Sequence, residues 1–191
     1  MALPGIYKCF QHWGEKNGVF ITSDTHFGDE ELKAGIPGRP SDEELVKMIN
    51  STVGRTGTLI HLGDVGDIKT MKKIRGYKIL ICGNHDAGKT NYEEVFDEIY
   101  TGALIIGEKI ILSHEPLPGI TWAMNIHGHD HTANGNQDKF HTNACLDASG
   151  YKLISLNQFL KNGATSKIQT IHRTTINKAS KRKGDKAKCQ K

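Results

Sequence analysis

The chain is organised around one histidine-rich stretch, Ile126-His127-Gly128-His129-Asp130-His131. It follows an apolar segment and leads into turn-forming residues, so we predict a strand that ends in a tight turn. In extended backbone His129 and His131 point to the same side, and imidazole is the commonest metal-ligand side chain. The stretch therefore predicts a metal site at a strand end, with a surface histidine cluster that binds nothing as the alternative.

Length and composition indicate a soluble, globular chain. The 191 residues include 37% hydrophobic and 24% charged side chains, which suits one domain with a sizeable core. No apolar run approaches the roughly 20 residues of a membrane span, and we expect no signal peptide. The four cysteines form no C-x-x-C pair. Their spacing argues against a disulfide framework or a zinc ribbon and fits a reducing cytoplasm.

Positive charge is concentrated at the C-terminal end. Residues 178–191 contain seven Lys or Arg and one Asp, so they carry +6 while the whole chain carries +4. Without large apolar side chains this segment cannot pack, and we expect a disordered, solvated tail. Contact with nucleic acid or another polyanion is the alternative. Residues 1–177 are expected to form the domain.

Five apolar segments, each predicted to be a strand, end in polar clusters: Asp24 and His26, Asp64, Asn84-His85-Asp86, His114, and His129 with His131. In sheets built from successive β units, sites form at the carboxyl ends of the strands. We therefore expect five strands to deliver these side chains to one edge. Gly63, Gly83 and Gly128 immediately precede three of the clusters and permit sharp turns there.

The remaining pattern predicts further local structure. More β-structure is predicted at 6–13, in a type II′ hairpin that turns at 107–108, and in a pair formed by 140–146 and 151–154. Helices are predicted at 41–53, 67–75, 91–99 and 155–162. A capping box at Ser41 opens the first of these helices. Residues 27–40 are expected to be a loop, and 165–177 fit neither period.

The polar clusters offer seven oxygen and nitrogen donors: Asp24, His26, Asp64, Asn84, His114, His129 and His131. Seven are too many for one small ion, but they suit two ions if one carboxylate bridges them. Carboxylate and imidazole without thiolate favour Mn²⁺, and Fe, Zn²⁺ or Ni²⁺ fit the same donors. Two ions about 3.5–4 Å apart suit in-line displacement at phosphorus, because they stabilise the attacking and leaving oxygens.

The order Asp-x-His, Gly-Asp, Gly-Asn-His-Asp, His and Gly-His-x-His over residues 24–131 resembles the calcineurin-like metallophosphoesterase superfamily. The segment Ser-Asp-Thr-His-Phe-Gly at 23–28 is most similar to the small bacterial and phage branch. The resemblance implies an α/β (α+β) fold, a single-domain β-sandwich flanked by helices, over about residues 5–162. It also implies hydrolysis of a phosphoester at a dinuclear metal centre.

The resemblance assigns roles to individual residues. By this likeness the first metal would be held by Asp24, His26 and His131, and the second by Asn84, His114 and His129. Asp64 would bridge both, together with a hydroxide that acts as the nucleophile. His85 would lie over the scissile phosphate and stabilise charge or protonate the leaving oxygen. Asp86 would orient His85 from behind.

Other polar residues have looser assignments. Arg39 and Lys89 lie in loops beside the motifs and could contact substrate phosphate, with a solvated charge as the alternative. Asp67 is expected either close to the metals or as a helix N-cap. His61 and His127 are expected to be structural.

Together these patterns predict a phosphodiesterase that acts on a small, nucleotide-like substrate. The insertions are short, and no dedicated cap for binding a monoester is visible. A phosphomonoesterase or phosphoprotein phosphatase is the first alternative, and a nuclease, favoured by the basic tail alone, is the second. A binding module that keeps the fold without turnover is the alternative from another class.

Overall fold

A computed structural model describes residues 18–86, 92–106, 109–132 and 138–169. Its strands are β1 (Val19–Thr22), β2 (Thr58–His61), β3 (Tyr77–Ile81), β4 (Glu98–Tyr100), β5 (Leu104–Ile106), β6 (Ile110–Leu112), β7 (Met124–His127), β8 (His141–Asn143) and β9 (Ile154–Ser155). Its helices are α1 (Glu30–Gly35), α2 (Asp42–Val53), α3 (Ile68–Met71) and α4 (Leu156–Lys161), with a 3-10 turn at Tyr92–Glu94. The strands form a five-stranded sheet in the order β4-β3-β2-β1-β9 and a four-stranded sheet in the order β5-β6-β7-β8.

Four neighbouring strands of the five-stranded sheet run parallel. Thr22 of β1 lies opposite His61 of β2, and His61 lies opposite Leu80 of β3. β4 continues the parallel arrangement beside β3. Because these strands end at the same edge, the polar residues that follow β1, β2 and β3 start from neighbouring positions.

The two sheets pack face to face around a shared apolar core. It includes Ile21, Ile60 and Ile79 from the five-stranded sheet, and Leu112 and Ile126 from the four-stranded one. All five of these side chains are completely buried. Burying each contributes about 1.5–3 kcal/mol to folding. The mixed α/β sandwich predicted from the sequence is confirmed.

Helix α2 covers the opposite face of the five-stranded sheet. Ser41 Oγ accepts from the Glu44 amide while the Glu44 carboxylate accepts from the Ser41 amide, so the predicted capping box is present. The buried residues of α2 are Leu45, Ile49 and Val53. They belong to a second cluster with Leu59 and Leu80, which alternate along the strands with the sandwich-facing residues. Among the described helices α2 is the longest, with 12 residues, and none is long and apolar enough to cross a bilayer.

Three local predictions were wrong. Residues 27–40 are not all loop, because the Asp29 carboxylate caps the short helix α1. The described part of the predicted helix 91–99 is a 3-10 turn followed by β4, which extends the parallel sheet. The predicted pairing of 140–146 with 151–154 does not occur: β8 pairs with β7, and β9 pairs antiparallel with β1. For the segments that form β4, β8 and β9, the neighbouring strand in the folded sheet decides the pairing, since β-preference depends strongly on context.

Other predictions were confirmed or lie outside the described residues. Helix α3 is shorter than predicted, and the Asp67 carboxylate caps it by accepting from the Thr70 amide at 2.8 Å. Ser155 caps α4 as predicted. β5 and β6 form the predicted antiparallel pair. Outside the described residues lie the strand predicted at 6–13, the turn at 107–108, most of 165–177 and the tail at 178–191.

Candidate metal centre

The parallel pairing of β1 and β2 continues into the loops that follow them. The Asp24 amide donates to the carbonyl of Gly63 at 2.9 Å, and the His26 amide donates to the carbonyl of Asp64 at 3.0 Å. These two loops therefore run side by side at the carboxyl edge of the sheet. Two of the predicted polar clusters meet there.

The four-stranded sheet meets the other sheet at this same edge. The Gly128 amide donates to the carbonyl of His114 at 2.8 Å, which joins the loops after β6 and β7. A β-carbon on Gly128 would collide with Ser23 Oγ and lie 2.5 Å from Asp24 Oδ2, so this close approach requires glycine. The His129 amide then donates to Asp24 Oδ2 at 2.9 Å.

Strained backbone is concentrated at this edge. Positive φ values are found at Asp24 (58°), His26 (42°), Asp64 (58°) and His129 (68°). Tyr151 is the fifth non-glycine residue of the described chain with such a value. Each of these conformations costs of order 1–3 kcal/mol and persists only where the surrounding structure enforces it. Strain at four candidate ligands is typical of a functional site.

The first group consists of Asp24, His26 and His131. One ligand atom from each lies within 4.8 Å of the others, and His131 Nε2 is 3.7 Å from Asp24 Oδ1. Asp24 Oδ2 accepts from the Ser23 hydroxyl and the His129 amide. Asp24 Oδ1 and His26 Nε2, in contrast, are buried without a hydrogen-bond partner. Buried polar atoms are rarely left so, and a cation between them would satisfy both.

The second group consists of Asp64, Asn84, His114 and His129. Ligand atoms of its carboxylate and two imidazoles lie within 4.8 Å of one another. His114 Nδ1 lies 2.8 Å from the carbonyl of Leu62, which can only accept, so Nδ1 carries the proton and Nε2 of the neutral ring is an acceptor. That Nε2 lies 2.8 Å from Asn84 Oδ1, another acceptor. A cation between them would satisfy both acceptors, and without a cation the Asn84 amide can turn over so that its NH2 group donates to Nε2.

Asp64 lies between the two groups. Its Oδ2 is 3.5 Å from His26 Nε2 and 3.5 Å from His114 Nε2, so one oxygen faces an imidazole of each group. Burial by itself would raise the pKa of Asp64, but the His26 imidazole, the His85 amide and His114 together lower it to about 2. The carboxylate is therefore ionised over the whole working range of pH. Together, the carboxylate oxygens and imidazole nitrogens of the two groups are ligand atoms that suit divalent cations.

His85 lies at the mouth of the centre. Its side chain is 63% exposed, its Nε2 is 3.9 Å from Asp64 Oδ2, and its amide donates to Asp64 Oδ1 at 2.9 Å. Two cavities, of about 940 Å³ and about 550 Å³, share His26 and His85 in their walls. An exposed imidazole beside a buried carboxylate can donate a proton to, or hold charge on, a bound molecule.

Asp86 has a different task from the one expected. Its carboxylate accepts from the amides of Gly83, Asp64 and Val65 at 2.7–3.1 Å and from the Tyr92 hydroxyl at 2.8 Å. It therefore positions the backbone that carries Asp64, and it makes no hydrogen bond to the His85 ring. The expectation that Asp86 orients His85 is corrected on this ground. Burial and the nearby Asp86 carboxylate raise the pKa of Tyr92, which stays a hydrogen-bond donor.

Arg39 also lies elsewhere than expected. Its side chain is 4% exposed and forms an ion pair with Asp147, so the guanidinium is not available to a substrate phosphate. Lys89 lies outside the described residues. Sequence reasoning missed Asp147, although it closely follows β8 and obeys the strand-end rule that located the other acidic residues.

His61 and His127 are buried, as expected of structural residues. The Gly63 amide donates to His61 Nδ1 at 3.2 Å, so the opposite ring nitrogen carries the proton and donates to Thr25 Oγ1 at 3.0 Å. Burial, partly offset by the nearby Asp86 carboxylate, lowers the pKa of His61 to about 4. His61 is therefore neutral and braces the loop between Asp24 and His26.

Comparison with known proteins gave no matching family model and no matching curated protein. Among solved structures, the chain is similar to the protein of unknown function AQ665 from Aquifex aeolicus, with 28% identity and a TM-score of 0.63. That match covers 76% of this chain and 98% of the other. A nuclease, MPE from Pseudomonas putida, is 21% identical with a TM-score of 0.44, covering 59% of this chain and 61% of the other. The first likeness shows that the fold occurs in another natural protein, and the second is too distant to support an inference.

Proposed function

We propose that this chain is a metal-dependent phosphoester hydrolase with a dinuclear centre. The observation that carries the proposal is the position of Asp64, whose Oδ2 lies 3.5 Å from an imidazole of each group. In this proposal the first group binds one cation, the second group binds another, and Asp64 bridges them. Mn²⁺ is the expected metal, and Fe, Zn²⁺ and Ni²⁺ suit the same donors.

The proposed role of each residue follows from its position in the centre. Two bound cations would lower the pKa of a water molecule and neutralise phosphate oxygens. Asp24 and Asp64 supply carboxylates that would hold the cations, and the His129 and His85 amides keep one oxygen of each in place by donating to it. His85, exposed and 3.9 Å from Asp64 Oδ2, would stabilise charge on the phosphate or protonate the leaving oxygen.

The shape of the cavities supports a diester as substrate. The cavity of about 940 Å³ and the cavity of about 550 Å³ both have His26 and His85 in their walls. A phosphorus atom bound beside these histidines would therefore have room for one ester arm in each cavity. A monoester needs only one such arm, so the phosphomonoesterase reading remains the alternative.

The charge of the larger cavity favours a small substrate. Its wall includes the acidic residues Asp29, Glu30, Glu31, Asp67 and Glu94 and the basic residues Lys69 and Lys72. Binding of long nucleic acid depends on neutralising many phosphates with Lys and Arg, and this excess of acidic side chains opposes it. A small, nucleotide-like diester fits better than a polynucleotide, and the nuclease alternative therefore ranks lower.

The test is hydrolysis of bis-p-nitrophenyl phosphate and p-nitrophenyl phosphate, side by side, with Mn²⁺ and with chelator. We expect cleavage of the diester that the chelator abolishes. Asp138→Asn is a matched control, because Asp138 is an exposed carboxylate that contacts His141 away from the centre. Cleavage of the monoester alone would make the protein a phosphatase. Two bound metals without any turnover, also on a panel of natural diesters, would favour the binding-module alternative.

A further inference from the structure

A buried ion pair joins two distant parts of the chain behind the first group. The side chains of Arg39 and Asp147 are 4% and 2% exposed, and they are separated by 108 positions in the sequence. Removing two charges from water is costly, so a buried pair contributes little to stability by itself. Such a pair calls for a role beyond stability.

The contacts of this pair reach the members of the first group. Asp147 Oδ2 accepts from His131 Nδ1 at 2.7 Å. Arg39 Nη2 donates to the carbonyl of Asp24 at 3.1 Å and to the carbonyl of Thr25 at 2.8 Å. One ion pair therefore holds the ring of His131 and the strained loop that carries Asp24 and leads to His26.

We propose that Asp147, anchored by Arg39, is a positioning residue for the cation of the first group. A carboxylate can only accept, so it fixes the proton of the neutral His131 ring on Nδ1 and leaves the lone pair of Nε2 facing Asp24 Oδ1. Arg39 at the same time fixes the carbonyls on either side of the Asp24–Thr25 peptide bond. The inference deepens the proposed function and rests on it for the presence of a cation.

A third metal site at Asp147 is the competing interpretation. Ligand atoms of His131, Cys145 and Asp147 lie within 4.8 Å of one another. The Arg39 guanidinium, however, already contacts the Asp147 carboxylate and would repel a cation placed there. Burial and the nearby Asp24 carboxylate raise the pKa of the Cys145 thiol, which disfavours the thiolate that a metal needs.

The second group provides an internal reference. Its buried histidine, His114, is held by the carbonyl of Leu62 and is not among the hydrogen-bond or ion-pair partners of Asp147 and Arg39. Loss of the Asp147 charge should therefore weaken one cation and spare the other. A general loss of packing would weaken both.

The experiment measures Mn²⁺ binding to the metal-free full chain by calorimetry, for wild type, Asp147→Asn and the control Asp138→Asn. Wild type and the control should each bind two equivalents, and each site should have the same affinity in the control as in the wild type. Asp147→Asn should keep one site and weaken the other by about 10–100-fold. Because Asp147→Asn leaves Arg39 buried and unpaired, the double variant Arg39→Gln/Asp147→Asn is measured as well and should show the same selective loss.

Nitrogen-15 NMR of the His131 ring in the metal-free protein is the second readout. At a pH where the His131 ring is neutral, wild type should show the proton on Nδ1, and both variants should weaken this preference, because an amide oxygen is a weaker acceptor than a carboxylate and its NH2 group can donate instead. Folded variants with two wild-type Mn²⁺ affinities, or an unchanged His131 tautomer, would overturn the inference. A third equivalent of Mn²⁺ in wild type that Asp147→Asn removes would replace it with the third-site interpretation. If wild type bound no Mn²⁺, the proposed function would fail, while the NMR result would still decide whether Asp147 positions His131.

Discussion

The two groups of the centre are built from the same residue types but are supported differently. Behind the first group lies a buried ion pair, and His131 donates to a full carboxylate. Behind the second group lies a neutral main-chain carbonyl that receives the proton of His114, and His129 is exposed. The first group also has its own carboxylate, Asp24, whereas the second has an amide and shares Asp64. The difference leads us to expect that a cation in the first group would be held more firmly than one in the second.

The largest effect is expected where the two groups meet. Asp64→Asn removes the one charge that faces both, so both cations should bind more than about 100-fold more weakly, and diester hydrolysis should disappear with them. Calorimetry and hydrolysis together check this. If Asp64→Asn kept two cations at wild-type affinity, Asp64 would not be the residue that bridges them.

The next largest effect is expected on turnover, with metal binding unchanged in both groups. His85→Ala should keep both cations and reduce kcat by about 10²–10⁴-fold, because the imidazole is exposed and lies outside both sets of ligands. Metal content and single-turnover rates on the same preparation separate the two quantities. Loss of a cation in this variant would instead make His85 a ligand.

A steric change can disturb the first group alone. Gly128→Ala forces a methyl group against Ser23 and Asp24, which should lower the free energy of unfolding by about 1–3 kcal/mol and weaken the cation of the first group. Gly102→Ala is the matched control, since nothing lies within 4 Å of its added carbon. Denaturant unfolding of the three proteins gives the comparison. Equal stability of both variants would show that the two sheets can separate locally at this edge.

The smallest expected effect is the difference between the groups themselves. Graded chelation should remove the cation of the second group first, with an affinity at least about tenfold lower than that of the first. His129→Ala removes a ligand of the second group, so this variant should lower the affinity of the weaker site and leave that of the stronger site unchanged. Simultaneous loss of both cations would mean that the coupling between the two sites through Asp64 is larger than the difference between their affinities.

Local structure was largely predictable because neighbours in the sequence decide it. The caps at Ser41 and Ser155 follow from side chains that reach amides three residues ahead. The apolar segments that became β1, β2, β3, β6 and β7 were also found correctly, and the polar residues after them do converge. The helix predicted at 91–99 failed because that segment gains more from pairing beside β3 than from its own helical pattern.

The sequence by itself determined the apolar strands, the capped helices and the seven donors at strand ends, since each depends on short spacings that the chain order preserves. Only the tertiary structure decided what supports those donors. Arg39 meets Asp147 across 108 positions, and Asp86 turns to the backbone of Asp64 rather than to its neighbour His85. Such contacts depend on which distant segments the folded chain brings together, and no short spacing in the sequence encodes that, although most buried charges and amides then find a partner.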